Sequence, residues 1–268
     1  MRKAGTQNGK PHHLWKCWNR IARKIGPARK VALFADFDGT LVRIKKDPGH
    51  ARLAPEVRRL LARIASKGAV VGIVSGRTVT DAQERVGLNH IWYAGAHGFF
   101  LRDPSNRSFT LASPRQLKRI RAARRFLERR LRRLPGVRLE PKEATIAVHY
   151  RGAPKRSERR ARRVVSETLI EYPDLFLLTG KKLLELVPNS QTDKWKAIRF
   201  ILQKERNSNS RQRRVIFIGD DATDESVFRK LPDISIAVGK KNRTAAKYYL
   251  YSPAGVRRFL KALDERIS

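Results

Sequence analysis

The chain has 268 residues, 41% of them hydrophobic and 31% charged, with a single cysteine. That length supports one large domain or two small ones with a core that needs no metal or disulfide. A disulfide-stapled secreted module is excluded, because Cys17 has no partner in the chain. No apolar run approaches the ~20 residues needed to cross a bilayer, since AVVGIV (Ala69 to Val74) stops after six. A soluble protein of a reducing, cytoplasmic compartment is expected.

Sixty Lys and Arg against 24 Asp and Glu give a net charge of +36, which by composition suggests polyanionic partners. The excess is spread over the whole chain without low-complexity character, so it reads as arginine on solvated faces plus attraction of a small anionic substrate. A nucleic-acid-binding protein on a retired enzyme scaffold is the competing reading, and it predicts salt-steep DNA or RNA binding and activity indifferent to Asp36→Asn.

In chain order, residues 1–28 form a basic head. The first thirty residues carry nine basic side chains and no acidic one. Within them Leu14, Trp18, Ile21 and Ile25 recur at helical spacing, flanked by Lys16, Arg20, Arg23 and Lys24. Such a short amphipathic helix docks on its own domain, frays, or lies on an anionic surface. It lacks the apolar core and cleavage site of a secretory signal.

From Val31 the texture changes. VALFAD, then PEVRRLLARIASKG, then AVVGIVSG read as buried strand, helix ending at Gly68, and buried strand, a parallel βαβ unit. The alternation returns late, in RVIFIGDD, a helix after Thr223, the strand DISIAVG, and a final helix from about Pro253 to Glu265. The two stretches, 29–101 and 190–268, read as halves of one doubly wound, mostly parallel α/β sheet domain. Between them, residues 102–189 differ. A basic helix from Pro114 carries Leu117, Ile120, Leu127, Leu131 and Leu134 on one face, then come two strand-like segments, a second Arg-rich helix to Glu171, and the strands LFLLTG and KLLELVP. This is a smaller α/β module inserted into the sheet domain.

The chemistry concentrates at predicted strand ends. Asp36-Phe37-Asp38-Gly39-Thr40 ends the first strand, and side chains two apart in extended chain point the same way, toward the carboxyl edge where open α/β sheets bind ligands. Two such acids repel and need a cation or a proton between them. The second strand ends in Ser75-Gly76-Arg77, and VIFIG ends in Asp220-Asp221, with Asp224 and Glu225 beyond. With Lys194 at a helix start, these are the parts of a Mg²⁺-dependent phosphoryl site.

DFDGTL, SGR, a lone Lys and GDD, in that order, resemble the haloacid dehalogenase superfamily of aspartate-nucleophile phosphatases. The resemblance is closer to the trehalose-6-phosphate phosphatases, through GDDATDESVF (Gly219 to Phe228), GAHG (Gly95 to Gly98), Glu140-Pro-Lys142, His149-Tyr150-Arg151, LELVPN (Leu184 to Asn189) and KWKAI (Lys194 to Ile198). It runs from about Ala32 to Leu263. It implies a Rossmann-like core with an inserted, mobile cap, and hydrolysis of trehalose 6-phosphate in trehalose biosynthesis.

The resemblance implies these roles. Asp36 is the nucleophile and Asp38 the general acid and base. Mg²⁺ is held by Asp36, the Asp38 carbonyl and Asp220, with Asp221 reached through a water. Thr40, Ser75, Gly76 and Lys194 bind the phosphoryl oxygens, and Asp224 orients Lys194. Arg77, His97, Glu140, Lys142, Arg151 and Glu185 contact the sugar, where a disaccharide needs acids that accept hydroxyl protons and bases that donate. Sucrose-phosphate, mannosylglycerate-phosphate and glucosylglycerol-phosphate phosphatases are the alternative substrate readings, and a trehalose-phosphate synthase is a candidate partner. Two departures from the family pattern are Trp195, where Gly usually follows the lysine, and Phe99-Phe100, where an acid commonly follows GAHG.

Overall fold

The structure, a computed structural model, describes residues 10–44, 48–180, 182–188, 193–206, 213–239 and 243–267. The chain divides into two compact units, Met1–Phe109 with Thr192–Ser268, and Thr110–Gln191.

The first unit opens with β1 (His12–His13), α1 (Trp18–Lys24) and β2 (Val31–Ala35), followed by α2 (Pro55–Ser66) and β3 (Val70–Val74). Next come α3 (Val79–Val86), β4 (Trp92–Gly95), β5 (Phe100–Arg102) and β6 (Ser108–Thr110). The second unit holds α4 (Pro114–Leu131), β7 (Arg138–Pro141), β8 (Ile146–His149), α5 (Lys155–Glu171), β9 (Leu175–Gly180) and β10 (Leu183–Pro188). The chain returns to the first unit with α6 (Lys194–Lys204), β11 (Arg214–Gly219), α7 (Glu225–Lys230), β12 (Ile234–Val238), β13 (Tyr248–Leu250) and α8 (Pro253–Arg266).

Among the described residues the first unit has a nine-stranded sheet in the order β1-β13-β12-β11-β2-β3-β4-β5-β6. Neighbours from β1 through β4 run parallel, and β5 turns back antiparallel on β4. The five residues of β2 and of β3 are buried throughout, as expected of strands covered on both faces by helices. Helix α2 buries Val57, Leu60, Leu61 and Ile64, one stripe at 3–4-residue spacing. This is the doubly wound α/β architecture expected from the alternating pattern.

Three details differ from the expectation. The insertion begins after Phe109 rather than after Leu101, because β5 and β6 belong to the large sheet. The far boundary, placed at 189/190, falls outside the described residues. The basic head is not a loose tail over residues 10–28. Leu14, Ile21 and Ile25 sit in the core of the first unit, and the Trp18 ring meets Phe259 of α8 edge-on at 6.0 Å. Strand β1 completes the sheet by pairing with β13. The apolar stripe is therefore covered by its own domain and is not available to a membrane surface. Residues 1–9 of the head lie outside the described residues.

In the second unit a four-stranded antiparallel sheet, ordered β7-β8-β10-β9, packs one face on α4 and α5. Ile146, Val148, Leu184 and Leu186 meet Ile120, Ala123, Leu127, Val164 and Val165 there. Strand alternation turns the other set of side chains away from that core.

Candidate active site

Register explains why distant acids meet. Ala35 of β2 pairs with Ile218 of β11, and the Asp36 N–H donates to the Ile218 carbonyl at 2.9 Å. Asp36 and Asp220 thus leave adjacent parallel strands at one sheet edge. Ala35 also pairs with Ile73 of β3, which brings Ser75 to the same edge. Connections leave β2 toward β3 on one side while β11 begins the other half, so the acids stand where the strand order reverses, the usual ligand crevice of an open α/β sheet. Gly39 makes the turn with φ +84°, and a Cβ there would lie 2.1 Å from Asp220 Oδ2. Only glycine lets the two segments approach this closely.

At the first turn of α6 the side chain of Lys194, 1% exposed, reaches Asp36 Oδ1 at 2.8 Å and Asp224 Oδ1 at 2.7 Å. Asp193 begins that helix by accepting the Lys196 N–H at 2.9 Å, which fixes where Lys194 starts. Asp224 Oδ2 accepts the backbone N–H groups of Asp220 and Asp221 at 2.8 and 2.9 Å. One carboxylate therefore orients both the lysine and the acid-bearing turn, the role expected for Asp224. Asp221 Oδ1 accepts from the Thr223 N–H, the Thr223 hydroxyl and the Asp224 N–H, closing the turn.

The charges are not balanced. Lys194 is one cation among Asp36, Asp220, Asp221 and Asp224. Burial pushes the Asp36 carboxyl well above its ordinary value; Lys194 opposes this, but the charges of Asp224, Asp221 and Asp220 reinforce it. Asp220 is pushed up to about 7 by burial and by Asp224 and Asp221, against the Thr40 hydroxyl and Lys194. Lys194 is held well above the usual lysine value, because the neighbouring carboxylates outweigh its burial. Oxygens of Asp36, Asp220 and Asp224 lie within 4.8 Å of one another, close enough to hold one metal ion. Carboxylates that resist ionisation together, all hard oxygen donors, fit a divalent cation such as Mg²⁺.

The remaining predicted residues divide. Ser75 is buried, and its hydroxyl accepts the Arg77 N–H at 3.2 Å. Thr40, expected to bind phosphate, donates its hydroxyl to Asp220 Oδ1 at 3.1 Å. His97 adopts φ +60° between Ala96 at +47° and Gly98 at +99°, a left-handed run that folds its ring over Gly76, where a Cβ would stand 2.7 Å from the ring. Its N–H donates to the Ser75 carbonyl at 3.1 Å. Arg77, expected at the sugar, instead grips Asp38 with two nitrogens and Asp81 with a third. Phe99 is buried and Phe100 packs against the core, so the aromatic pair after GAHG serves packing. Trp195 is half-buried.

In the second unit, Glu140, Ala147 and Glu185 pair side by side across β7, β8 and β10, on the sheet face opposite the helices. Glu185, buried, accepts from Lys142 Nζ at 2.9 Å and from the Thr145 hydroxyl at 2.7 Å. Glu140 Oε2 meets His149 Nε2 at 2.6 Å, and the hydrogen bond to His149 holds the Glu140 carboxyl below its ordinary range. Three of the four predicted cap residues thus share one polar face; Arg151 stands in the exposed turn after it. Thr145 and His149 were missed as contacts, although strand alternation from Ala147 places them on this face.

The arrangement sets a buried ammonium between two carboxylates in a strand-end crevice, with acid oxygens spaced to hold one metal ion. The chain matches the Trehalose-phosphatase family over residues 34–254. It is 33% identical over 252 residues to trehalose-phosphate phosphatase B of Arabidopsis thaliana, covering 88% of this chain and 67% of that protein. It is 34% identical over 247 residues to the trehalose-phosphate phosphatase of Mycobacterium tuberculosis, covering 90% and 63%. This chain therefore spans about two thirds of the length of these relatives. Its fold matches the C-terminal domain of C. albicans trehalose-6-phosphate phosphatase with a TM-score of 0.77 at 21% identity, covering 97% of this chain and 99% of that one. On the family match and these relatives, this chain belongs to the trehalose-phosphatase family.

Proposed function

We propose that this protein hydrolyses trehalose 6-phosphate to trehalose and phosphate, with Asp36 as nucleophile and Mg²⁺ as cofactor. The observation that carries the reading is the placement of Lys194 between Asp36 and Asp224, 2.8 and 2.7 Å away, beside Asp220 at the same sheet edge.

An ionised Asp36 attacks phosphorus, a phosphorus–oxygen bond forms, and the bond to the sugar oxygen breaks. Asp38, two residues on, gives a proton to the departing alkoxide. In the second half water attacks the aspartyl-phosphate, Asp38 takes its proton, and the bond from phosphorus to Asp36 breaks, releasing phosphate. Lys194 holds the nucleophile by Oδ1 and offers positive charge to the phosphoryl oxygens, to which the Ser75 hydroxyl donates a hydrogen bond. Mg²⁺, held by Asp36 and Asp220, would offset the negative charge of the neighbouring carboxylates that resists ionisation of Asp36 and repels a phosphate dianion.

The relatives named trehalose-phosphate phosphatase and the polar face carrying Glu140, Lys142 and Glu185 support the disaccharide. A trehalose-phosphate synthase is the natural supplier of such a substrate, and unpaired Cys17 is consistent with a cytoplasmic setting. The test is Mg²⁺-dependent phosphate release from trehalose 6-phosphate, sucrose 6-phosphate, mannosylglycerate phosphate and glucosylglycerol phosphate. A preference of at least about tenfold, or ~1.4 kcal/mol, for trehalose 6-phosphate is expected; a smaller one removes the specific substrate. Turnover that survives Asp36→Asn, joined to salt-steep DNA binding, favours the nucleic-acid reading instead.

A further inference from the structure

Arg77 directly follows the Ser-Gly pair of the phosphate loop, where a substrate contact is the obvious role. Its surroundings contradict that role. Nε and Nη2 face the two oxygens of Asp38, the latter at 2.8 Å from Oδ1, while Nη1 donates to Asp81 Oδ2 at 2.7 Å. Three guanidinium nitrogens are thus committed to carboxylates, and the carbon between them lies 5.5 Å from the centre of the Phe37 ring.

The chain of alternating charge continues. Asp81 Oδ1 accepts from Arg85 Nε at 2.7 Å, and Arg85 Nη1 donates to the carbonyls of Gly49 and Ala51 at 2.7 and 2.9 Å. Asp81 and Arg85, four apart, share one face of α3, and Arg77 reaches Asp81 from the turn just before the helix. The guanidinium side chains are 13% and 12% exposed, which keeps water from competing for them. Burial alone would raise the Asp81 carboxyl, yet the hydrogen bonds from Arg85 and Arg77 hold it below its ordinary value.

We propose that Arg77 is a positioning residue, which with Asp81 and Arg85 fixes the carboxylate of Asp38 for proton transfer, and that it does not recognise the sugar. This rests on the assignment of Asp38 as the proton-transfer group. A planar fork held at its far side by Asp81 fixes both oxygens of its partner, and a lysine, a point charge, cannot. Asp38 itself is 38% exposed and is followed by a glycine-containing turn, so it has little else to set its direction.

The test compares two leaving groups. A sugar alkoxide needs Asp38's proton to depart, whereas 4-nitrophenolate leaves without one. We measure kcat and KM for Arg77→Lys and Asp81→Asn on trehalose 6-phosphate and 4-nitrophenyl phosphate, with thermal melts to verify folding. A positioned acid is worth ~10²–10⁴-fold, so partial loss of its direction predicts a fall of about 10- to 100-fold in kcat/KM on the sugar phosphate for Arg77→Lys. Asp81→Asn, one step removed, is expected to fall less, in the same direction. On the aryl phosphate kcat/KM, which reports the leaving-group step alone, stays within about threefold for both variants, whereas kcat on either substrate also carries the shared water-activation step at Asp38. An equal fall in kcat/KM on both substrates overturns the proposal, and so does a raised KM with kcat preserved. Wild-type turnover reports separately on the substrate: if trehalose 6-phosphate is not turned over, the comparison is made with any alkyl phosphate that is.

Discussion

Lys194→Met keeps the length of the side chain and removes a cation buried among four carboxylates. In the native protein its ammonium stands 2.8 Å from Asp36 and 2.7 Å from Asp224, with the lysine side chain 1% exposed and the carboxylates 6% and 0%. Removing one partner of so buried a pair costs about 3–5 kcal/mol, which at ~2–4 °C per kcal/mol for a chain of this size lowers Tm by roughly 6–20 °C. The sign with pH follows from the carboxyls. Asp36 and Asp224 both stand above their ordinary values for burial, with Lys194 the group pulling them down. In the variant they rise further and take up protons as the pH falls, so the deficit is largest near pH 8 and shrinks toward pH 5. Calorimetry in chelator at both pH values, with phosphate release alongside, checks this. Tm at pH 8 within about 2 °C of wild type, or turnover within about tenfold where a lost oxyanion donor costs ~10²–10³, would refute the placement of Lys194 at the centre of the site.

Asp220, pushed up to about 7, must release a proton when a cation binds below that pH. Apparent Mg²⁺ affinity is therefore expected to rise by at least about tenfold per unit as the pH climbs toward 7; a flat titration calorimetry profile contradicts the shared charge. Glu140→Ala should raise KM for trehalose 6-phosphate by about tenfold or more, the usual scale of a lost hydrogen bond to a charged group, while leaving a small aryl phosphate nearly unchanged. Equal effects on both substrates remove Glu140 from sugar recognition. Ile21→Ala should cost ~2–5 kcal/mol in denaturant unfolding, because Ile21 is fully buried in the sheet domain. A loss below about 1 kcal/mol would return the head to the surface.

What was legible in the sequence was the part that repeats a strong physical pattern. Continuous apolar strands alternating with amphipathic helices specify a parallel sheet, and the acids stand where such strands end. Asp36, Asp220, Ser75 and Lys194 could be placed together because strand ends gather at one edge whatever the loops do. Less was legible where the signal is short or nonlocal. Two-residue β1 has no period to read, and β6, with the last residue of β5, fell in the stretch assigned to the insertion because a three-residue strand resembles a loop. The family resemblance assigns Asp224 to Lys194, but nothing local marks Asp221 as the residue that closes the turn with Thr223 and Asp224. The four-residue spacing of Arg77, Asp81 and Arg85 was visible, and reading it would have assigned Arg77 to a carboxylate before the structure did.

The most direct test of the account is where the phosphoryl group goes. The protein is mixed with Mg²⁺ and trehalose 6-phosphate, quenched in acid within a turnover, and digested for mass mapping. Phosphate on Asp36, absent in Asp36→Asn together with turnover, is the predicted result. Phosphate on another residue, or release that persists in Asp36→Asn, would contradict it.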